Sequence, residues 1–248
     1  MTTDVTRPVS DPRLRSLEGR LPGYRYGLVL LLLMVTYVVS VAAPTQAWAR
    51  LVVIVLQELT LLVAMGASRV HARTVRIVGV VMAVFTLLLI AALPWGEGSD
   101  ALRGAYFLVS ALLVGVAPVM IVRGLIRRAV IDVRTVLGAL CVYVLIGMLF
   151  AFVYAAIGTL GSNPFFAQVN HATISDYLYF SFITLTTVGY GDLTAAGGFG
   201  RASAVMEALL GQIYLVTVVA VLVGAIGHRR LATPSPAAED TVRGSGPA

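Results

Sequence analysis

Thr186-Thr187-Val188-Gly189-Tyr190-Gly191-Asp192 is the stretch on which the reading of this chain turns. Its glycines alternate with side-chain-bearing residues, and Gly189 and Gly191 allow backbone dihedrals that a residue with a Cβ resists. Successive carbonyl oxygens can then all point the same way, and Thr187 can add its hydroxyl at the end of the row. A plain Gly/Tyr turn is the competing reading of seven residues taken alone. The flanks decide, because a bare backbone ladder gains its meaning between hydrophobic helices of spanning length.

Working outward, Thr173-Ile174-Ser175-Asp176 has the form of a capping box, with Asp176 near the positive end of a helix dipole. The helix predicted from it, about Ile174 to Thr186, is long enough to reach only part way into a membrane. Before it, a connection over 158–172 carries Gly161, Ser162, Asn163 and Pro164, as a surface turn should. An apolar span at about Thr135–Ile157 precedes that connection. On the other side Gly200-Arg201 opens a second span, about Ala202–Ile226. Four more apolar stretches lie upstream: Tyr26–Ala43, ended by Pro44, then Leu51–Ala67, Val75–Leu93 and Gly104–Val122. Each is close to the length that crosses ~30 Å of hydrocarbon.

Composition agrees with a chain built for lipid. It is 58% hydrophobic and 12% charged, with a mean hydropathy of +0.91, which excludes an ordinary soluble domain. The single cysteine, Cys141, lies in an apolar run, so there is no disulfide framework and no cysteine-based metal site. His71, His171 and His228 fall in separate connections and form no ligand cluster. The net charge of +6 does not imply nucleic acid, because the basic residues sit beside apolar spans, where they set topology and meet anionic headgroups. With a cytoplasmic N-terminus, 15 of the 18 arginines fall on the inner side and only Arg50, Arg103 and Arg201 on the outer. That positive-inside bias puts 186–192 at the outer face.

The heptapeptide, with its outer helix, connection, short helix, loop and inner helix in that order, resembles the pore module of potassium channels over about 100 residues from Thr135. The resemblance implies an all-α integral membrane protein: six transmembrane helices, a re-entrant pore helix and selectivity filter between the fifth and sixth, and a tetrameric pore. It also implies that backbone carbonyls of the filter, Thr187, Val188, Gly189, Tyr190 and Gly191, replace the hydration shell of K+, with the ion held at Thr187, Val188, Gly189 and Tyr190. Thr186, Asp192, Tyr179 and Glu207 are expected to support the filter. Tyr179 stands where some relatives place a tryptophan that bonds the aspartate, and Glu207 is a candidate brace from behind. Ile183 departs from one bacterial version of the family, which has a carboxylate there. Gly211 falls where many relatives have a gate hinge, with a packing glycine as the equal alternative, and Glu207, Gly211 and Tyr214 share one helical face. Gln212 or Thr217 is a candidate to line the cavity.

Within this family the chain is most similar to bacterial six-span channels with an uncharged fourth helix. Gly104–Val122 contains no basic residue, so a voltage sensor's gating charge is missing. Glu58 lies inside the second apolar stretch and needs an interior partner, with Arg103 or its own protonation as the expectation. Residues 123–134 mix Leu125, Ile126, Val130 and Val133 with arginines, which suits a short interfacial helix, and Pro118 is a candidate kink. The expected organisation is a cytoplasmic tail at 1–25, a four-helix membrane domain with linker at 26–134, a pore domain at 135–230 and a disordered tail at 231–248. Expected partners are further copies of the chain in a homotetramer, membrane lipid and an unspecified regulatory protein. No cofactor is expected beyond permeant K+ ions. The location is a plasma membrane, with both termini cytoplasmic. The function expected is passive potassium conduction rather than enzymatic chemistry. A weakly selective cation channel and a non-conducting membrane sensor or accessory subunit stand behind it.

Overall fold

The computed structural model describes residues 24–42, 47–67, 72–96, 100–126 and 133–231. Helices account for most of them: α1 (Tyr24–Ala42), α2 (Ala47–Ala67), α3 (Ala72–Gly96), α4 (Asp100–Ile126), α5 (Val133–Leu160), α6 (Ile174–Leu185) and α7 (Gly198–Leu231). Three contain stretches long and apolar enough to cross a membrane: Asp100–Arg123, Thr135–Leu160 and Gly198–Val221. The chain is therefore a multi-pass membrane protein by length and composition. Shorter apolar helical stretches, Tyr26–Ala42, Leu51–Gly66 and Arg76–Leu88, lie in α1, α2 and α3.

The helices run further than hydropathy alone suggests. α4 continues through Pro118 and takes in Arg123 to Ile126, while α5 begins at Val133. The expected interfacial helix over 123–134 is thus divided between the ends of two long helices, and 127–132 lies outside the described residues. The tails over 1–23 and 232–248 lie outside them as well; Tyr24 and Arg25 begin α1, and Leu231 ends α7.

α5 is the element that the others share. It packs along α4, and it also touches α1, α6 and α7. α1 pairs with α2, α2 with α4, and α3 lies against α2 with a smaller contact to α4. One chain therefore carries its first helices against its own α5 and α6. Tyr37 of α1 meets Phe182 of α6 edge to face, with ring centroids 5.3 Å apart.

Polar residues inside these apolar helices find local partners. Thr36, Ser40 and Thr60 each donate a hydroxyl proton to the carbonyl four residues back, at 2.7 Å. Glu58 accepts a hydrogen bond from Thr86 of α3, so its partner is a hydroxyl on the neighbouring helix, in place of the expected Arg103. Gln57 faces a small cavity between α1, α2, α4 and α5 that Thr36 and Thr60 also line.

Cys141 is completely buried, its Sγ 3.5 Å from the Tyr26 carbonyl oxygen. A thiolate-reactive probe needs access to sulfur, which this packing denies. A maleimide dye should leave the folded protein unlabelled and label the single thiol as α1 and α5 separate on heating. Rapid labelling at room temperature would contradict the packing of these two helices.

Candidate functional site

The site is built on the end of α6. The helix starts with a reciprocal capping box: the Thr173 amide donates to Asp176 Oδ2 at 2.7 Å and the Asp176 amide to Thr173 Oγ1 at 3.4 Å. It stops at Leu185, where the chain turns back under its own last turn. The amide of Thr187 donates to the Thr184 carbonyl at 2.9 Å, and those of Val188 and Gly189 donate to the Ile183 carbonyl at 2.9 and 3.2 Å. These bonds satisfy carbonyls that a helix end otherwise leaves open.

In a trans peptide the N–H and the preceding C=O point in opposite directions. With the amides of 187–189 directed at α6, the carbonyls of Thr186, Thr187 and Val188 are directed away from it. The backbone then alternates in hand: φ is +57° at Thr187, +54° at Gly189 and +81° at Gly191. Two of these residues are glycines, which accept left-handed dihedrals without a Cβ penalty. Thr187 does not, and among the described residues it is the one non-glycine held at positive φ. Left-handed backbone in an L-residue costs roughly 1–2 kcal/mol, which the surrounding bonds must offset. One bond absent from the sequence reading is available: Gln212 of α7 donates to Thr187 Oγ1 at 3.0 Å.

Thr186 to Asp192 are exposed along this side of the chain, Val188 to 51% and Tyr190 to 72%. Tyr190 thus presents a large ring to the outside, where a single chain gives it no cover.

The segment after the loop is tied down from two directions. Phe166 and Ala195 form an isolated antiparallel bridge, with the Ala167 amide on Thr194 O at 2.9 Å and the Ala196 amide on Phe165 O at 2.8 Å. Gln168 clamps Thr194, accepting from its amide at 2.9 Å and donating to its hydroxyl at 2.8 Å. Arg201 Nε donates to the Ala195 carbonyl at 2.9 Å. The connection over 158–172 is therefore more than a surface turn, since Phe165 and Phe166 are buried among Tyr154, Tyr177 and Phe180.

The aromatic residues of α6 divide by face. Tyr177 and Phe180 enter that cluster, and Phe182 turns to Tyr37. Tyr179 turns to the loop, where its hydroxyl donates to Asp192 Oδ2 at 2.7 Å. This bond to the carboxylate raises the phenol's pKa above its ordinary value.

Behind the loop, α7 presents Glu207, Gly211 and Tyr214 to the other helices. Glu207 is fully buried and accepts from Tyr154 of α5 at 2.7 Å and contacts Ser181 of α6. Tyr214 donates to the Ala139 carbonyl at 2.7 Å and stacks on Tyr143, whose hydroxyl reaches Leu185 O at 3.3 Å. Gly211 lies so close to the end of α6 that a Cβ there would sit 2.7 Å from the Leu185 carbonyl oxygen and 2.7 Å from its Cδ1. Close approach of two backbones accounts for glycine at this position. Thr217 lies exposed on α7.

Residues 140–227 match a family model described as an ion channel, a segment that runs from α5 through the loop into α7. No curated protein matches the chain. The matched segment contains the whole loop, α6, and Glu207, Gly211 and Gln212 of α7.

Two substitutions read this geometry. Gly211→Ala should destabilise the folded protein by about 1–3 kcal/mol through overpacking against Leu185. Gly224→Ala, on the same helix with open space at its Cβ, should be neutral or slightly stabilising. Thermal unfolding of the two variants in detergent, followed by circular dichroism, checks the difference in sign. Tyr179→Phe removes the bond to Asp192 and should raise proteolytic or hydrogen-exchange access at 190–196 without altering helix content; unchanged exchange there would mean that the bond does not order the loop.

Proposed function

We propose that this chain is a potassium-selective channel subunit and that four copies surround one pore. The observation that carries the reading is the alternation of hand at Thr187, Gly189 and Gly191 beneath three amides committed to α6. It turns the backbone oxygens at the start of the loop away from the protein, as dehydrated K+ requires. Oxygens of Thr187, Val188, Gly189 and Tyr190 are the proposed ligands, with Gly191 completing the filter and Thr186, Asp192, Tyr179 and Glu207 supporting it. Gly211 is proposed as a contact between α7 and the pore helix, in preference to a gate hinge.

One chain supplies one side of such a ring, and four are needed to enclose the ion. Exposure supports self-association on this side. Val205, Leu209, Ile213 and Val216 recur at helical spacing on α7 and are exposed, opposite the face that holds Glu207 and Gly211. Neighbouring subunits and lipid are the proposed cover, and residues around Gln212 would face the ion path.

The remaining assignments follow the same reading. α1 to α4 supply four crossings and α5 and α7 two more, with α6 entering from the outer face and returning through the filter. The termini lie on the cytoplasmic side of a plasma membrane, as the arginine asymmetry supports. α4 contains Arg103 at one end and Arg123 near the other, with no charge row between them. The channel is therefore proposed to conduct without sensor-driven voltage gating, since one charge moving through 100 mV contributes only about 2.3 kcal/mol.

Purified protein in proteoliposomes should carry K+ down its gradient, discriminate against Na+ by reversal potential, and be blocked by external Ba2+. Gly189→Ala should lose the flux while keeping the oligomer, because a Cβ opposes positive φ at that position. Equal K+ and Na+ permeability would make it a weakly selective cation channel. Absence of flux under every lipid and voltage condition would favour a non-conducting sensor or accessory subunit.

A further inference from the structure

Ser181 has one hydroxyl proton and two acceptors beside it. Its Oγ lies 2.6 Å from the carbonyl oxygen of Gly147 on α5, and it is also in hydrogen-bond contact with Oε1 of Glu207 on α7. On the far side of the same carboxyl group, Tyr154 Oη is 2.7 Å from Oε2. Ser181, Tyr154 and Glu207 are all completely buried, so water supplies no proton to this group of atoms.

The contacts can be counted against the protons. If Glu207 were ionised, two hydroxyl protons would have to serve three contacts. Tyr154 would satisfy Oε2, and Ser181 could donate either to Gly147 or to Oε1. A proton shared between two acceptors serves each of them less well than a proton of its own. One pair would then hold two oxygens together lone pair to lone pair, in surroundings of low polarity where an unpaired charge is costly.

A third proton, on Oε1, removes the conflict. Glu207 then donates to Ser181, Ser181 donates to Gly147, and Tyr154 donates to Oε2. Every contact has one donor and one acceptor, and no net charge is buried.

We propose that Glu207 is a neutral carboxylic acid that positions the pore helix, and that its proton links α7 through α6 to α5. Ionisation transfers that proton to a solvent base, leaves Ser181 with two acceptors again, and releases either Gly147 or the carboxylate from the chain. Ser181 lies one turn before Leu185, so the release acts on the same helix whose end holds the filter amides. The groups that face the carboxyl are Tyr154 and, farther off, Tyr143 from α5, and Ser181 from α6. Among the described residues nearby, Asp176 is engaged by Thr173, Asp192 by Tyr179, Arg201 by the Ala195 carbonyl, Tyr214 by the Ala139 carbonyl and Cys141 by the Tyr26 carbonyl. The protonation state stands independently of conduction; only its functional consequence rests on the channel reading.

The full-length protein in lipid tests both parts. In the infrared difference spectrum of wild type minus Glu207→Gln at neutral pH, the expected result is loss of one carbonyl band of a protonated carboxylic acid. Ser181→Ala should move that band to higher frequency, because the acid loses its acceptor; this keeps the test available if the Gln variant fails to fold. Loss of ionised-carboxylate bands instead, or a spectrum indifferent to Ser181→Ala, would overturn the proposal. For the consequence, wild-type K+ flux should be lost as the pH is raised. Glu207→Gln, whose amide can donate to Ser181 and accept from Tyr154, should retain it. Identical pH profiles in the two proteins would sink the positioning role, whereas a band without flux at any pH would count against the channel reading alone.

Discussion

Three amides folded back beneath a helix end are the constraint on which the rest of this structure depends. Thr187, Val188 and Gly189 give their N–H groups to Ile183 and Thr184, and by peptide planarity that decision orients the carbonyls on the opposite side. A loop that spent its amides on solvent would have no reason to expose a row of oxygens. The arrangement also closes the end of α6 without a C-capping glycine: Thr187, directly after the Thr186 cap, holds the positive φ there. One set of bonds therefore terminates a helix and shapes a loop.

Everything packed around α6 keeps that helix end where it is. Gly211 lets α7 lie directly against the Leu185 backbone, Tyr143 reaches the same carbonyl from α5, and Gln212 holds the Thr187 hydroxyl. At the other end the aromatic cluster seats Tyr177 and Phe180, while the Phe166–Ala195 bridge anchors the chain leaving the loop. The strained residue, Thr187, is thus bracketed by contacts from α6 and α7, the usual condition under which positive φ persists in a residue with a Cβ.

Much of this is legible in the sequence. The capping box at Thr173–Asp176 is a local signal, and the structure contains both of its bonds. The shared face of Glu207, Gly211 and Tyr214 follows from helical spacing and is the face that packs. What spacing could not supply was identity of partners: Ser181 and Tyr154 lie 26 and 53 residues from Glu207 in the chain. Positive φ at Thr187 was hidden for the opposite reason, since local preference argues against it and only the tertiary bonds impose it. At 158–172 Gly161, Ser162, Asn163 and Pro164 do form an exposed bend, while the two phenylalanines directly after them, which no turn signal marks, bury among Tyr154, Tyr177 and Phe180. Glu58 was legible as a carboxylate needing a partner, and its partner is a threonine on the next helix rather than an arginine.

The edge-to-face pair of Tyr37 and Phe182 has a mechanical meaning. Phe182 is also the residue whose carbonyl takes the Thr186 amide, at 3.0 Å, and the Thr186 hydroxyl, at 2.6 Å. A ring on α1 therefore bears on the residue that supports the first step of the loop. Lateral pressure applied to α1, whether from bilayer thickness or from crowding, has a path of two side chains to the backbone oxygens, with no long linker to absorb the load.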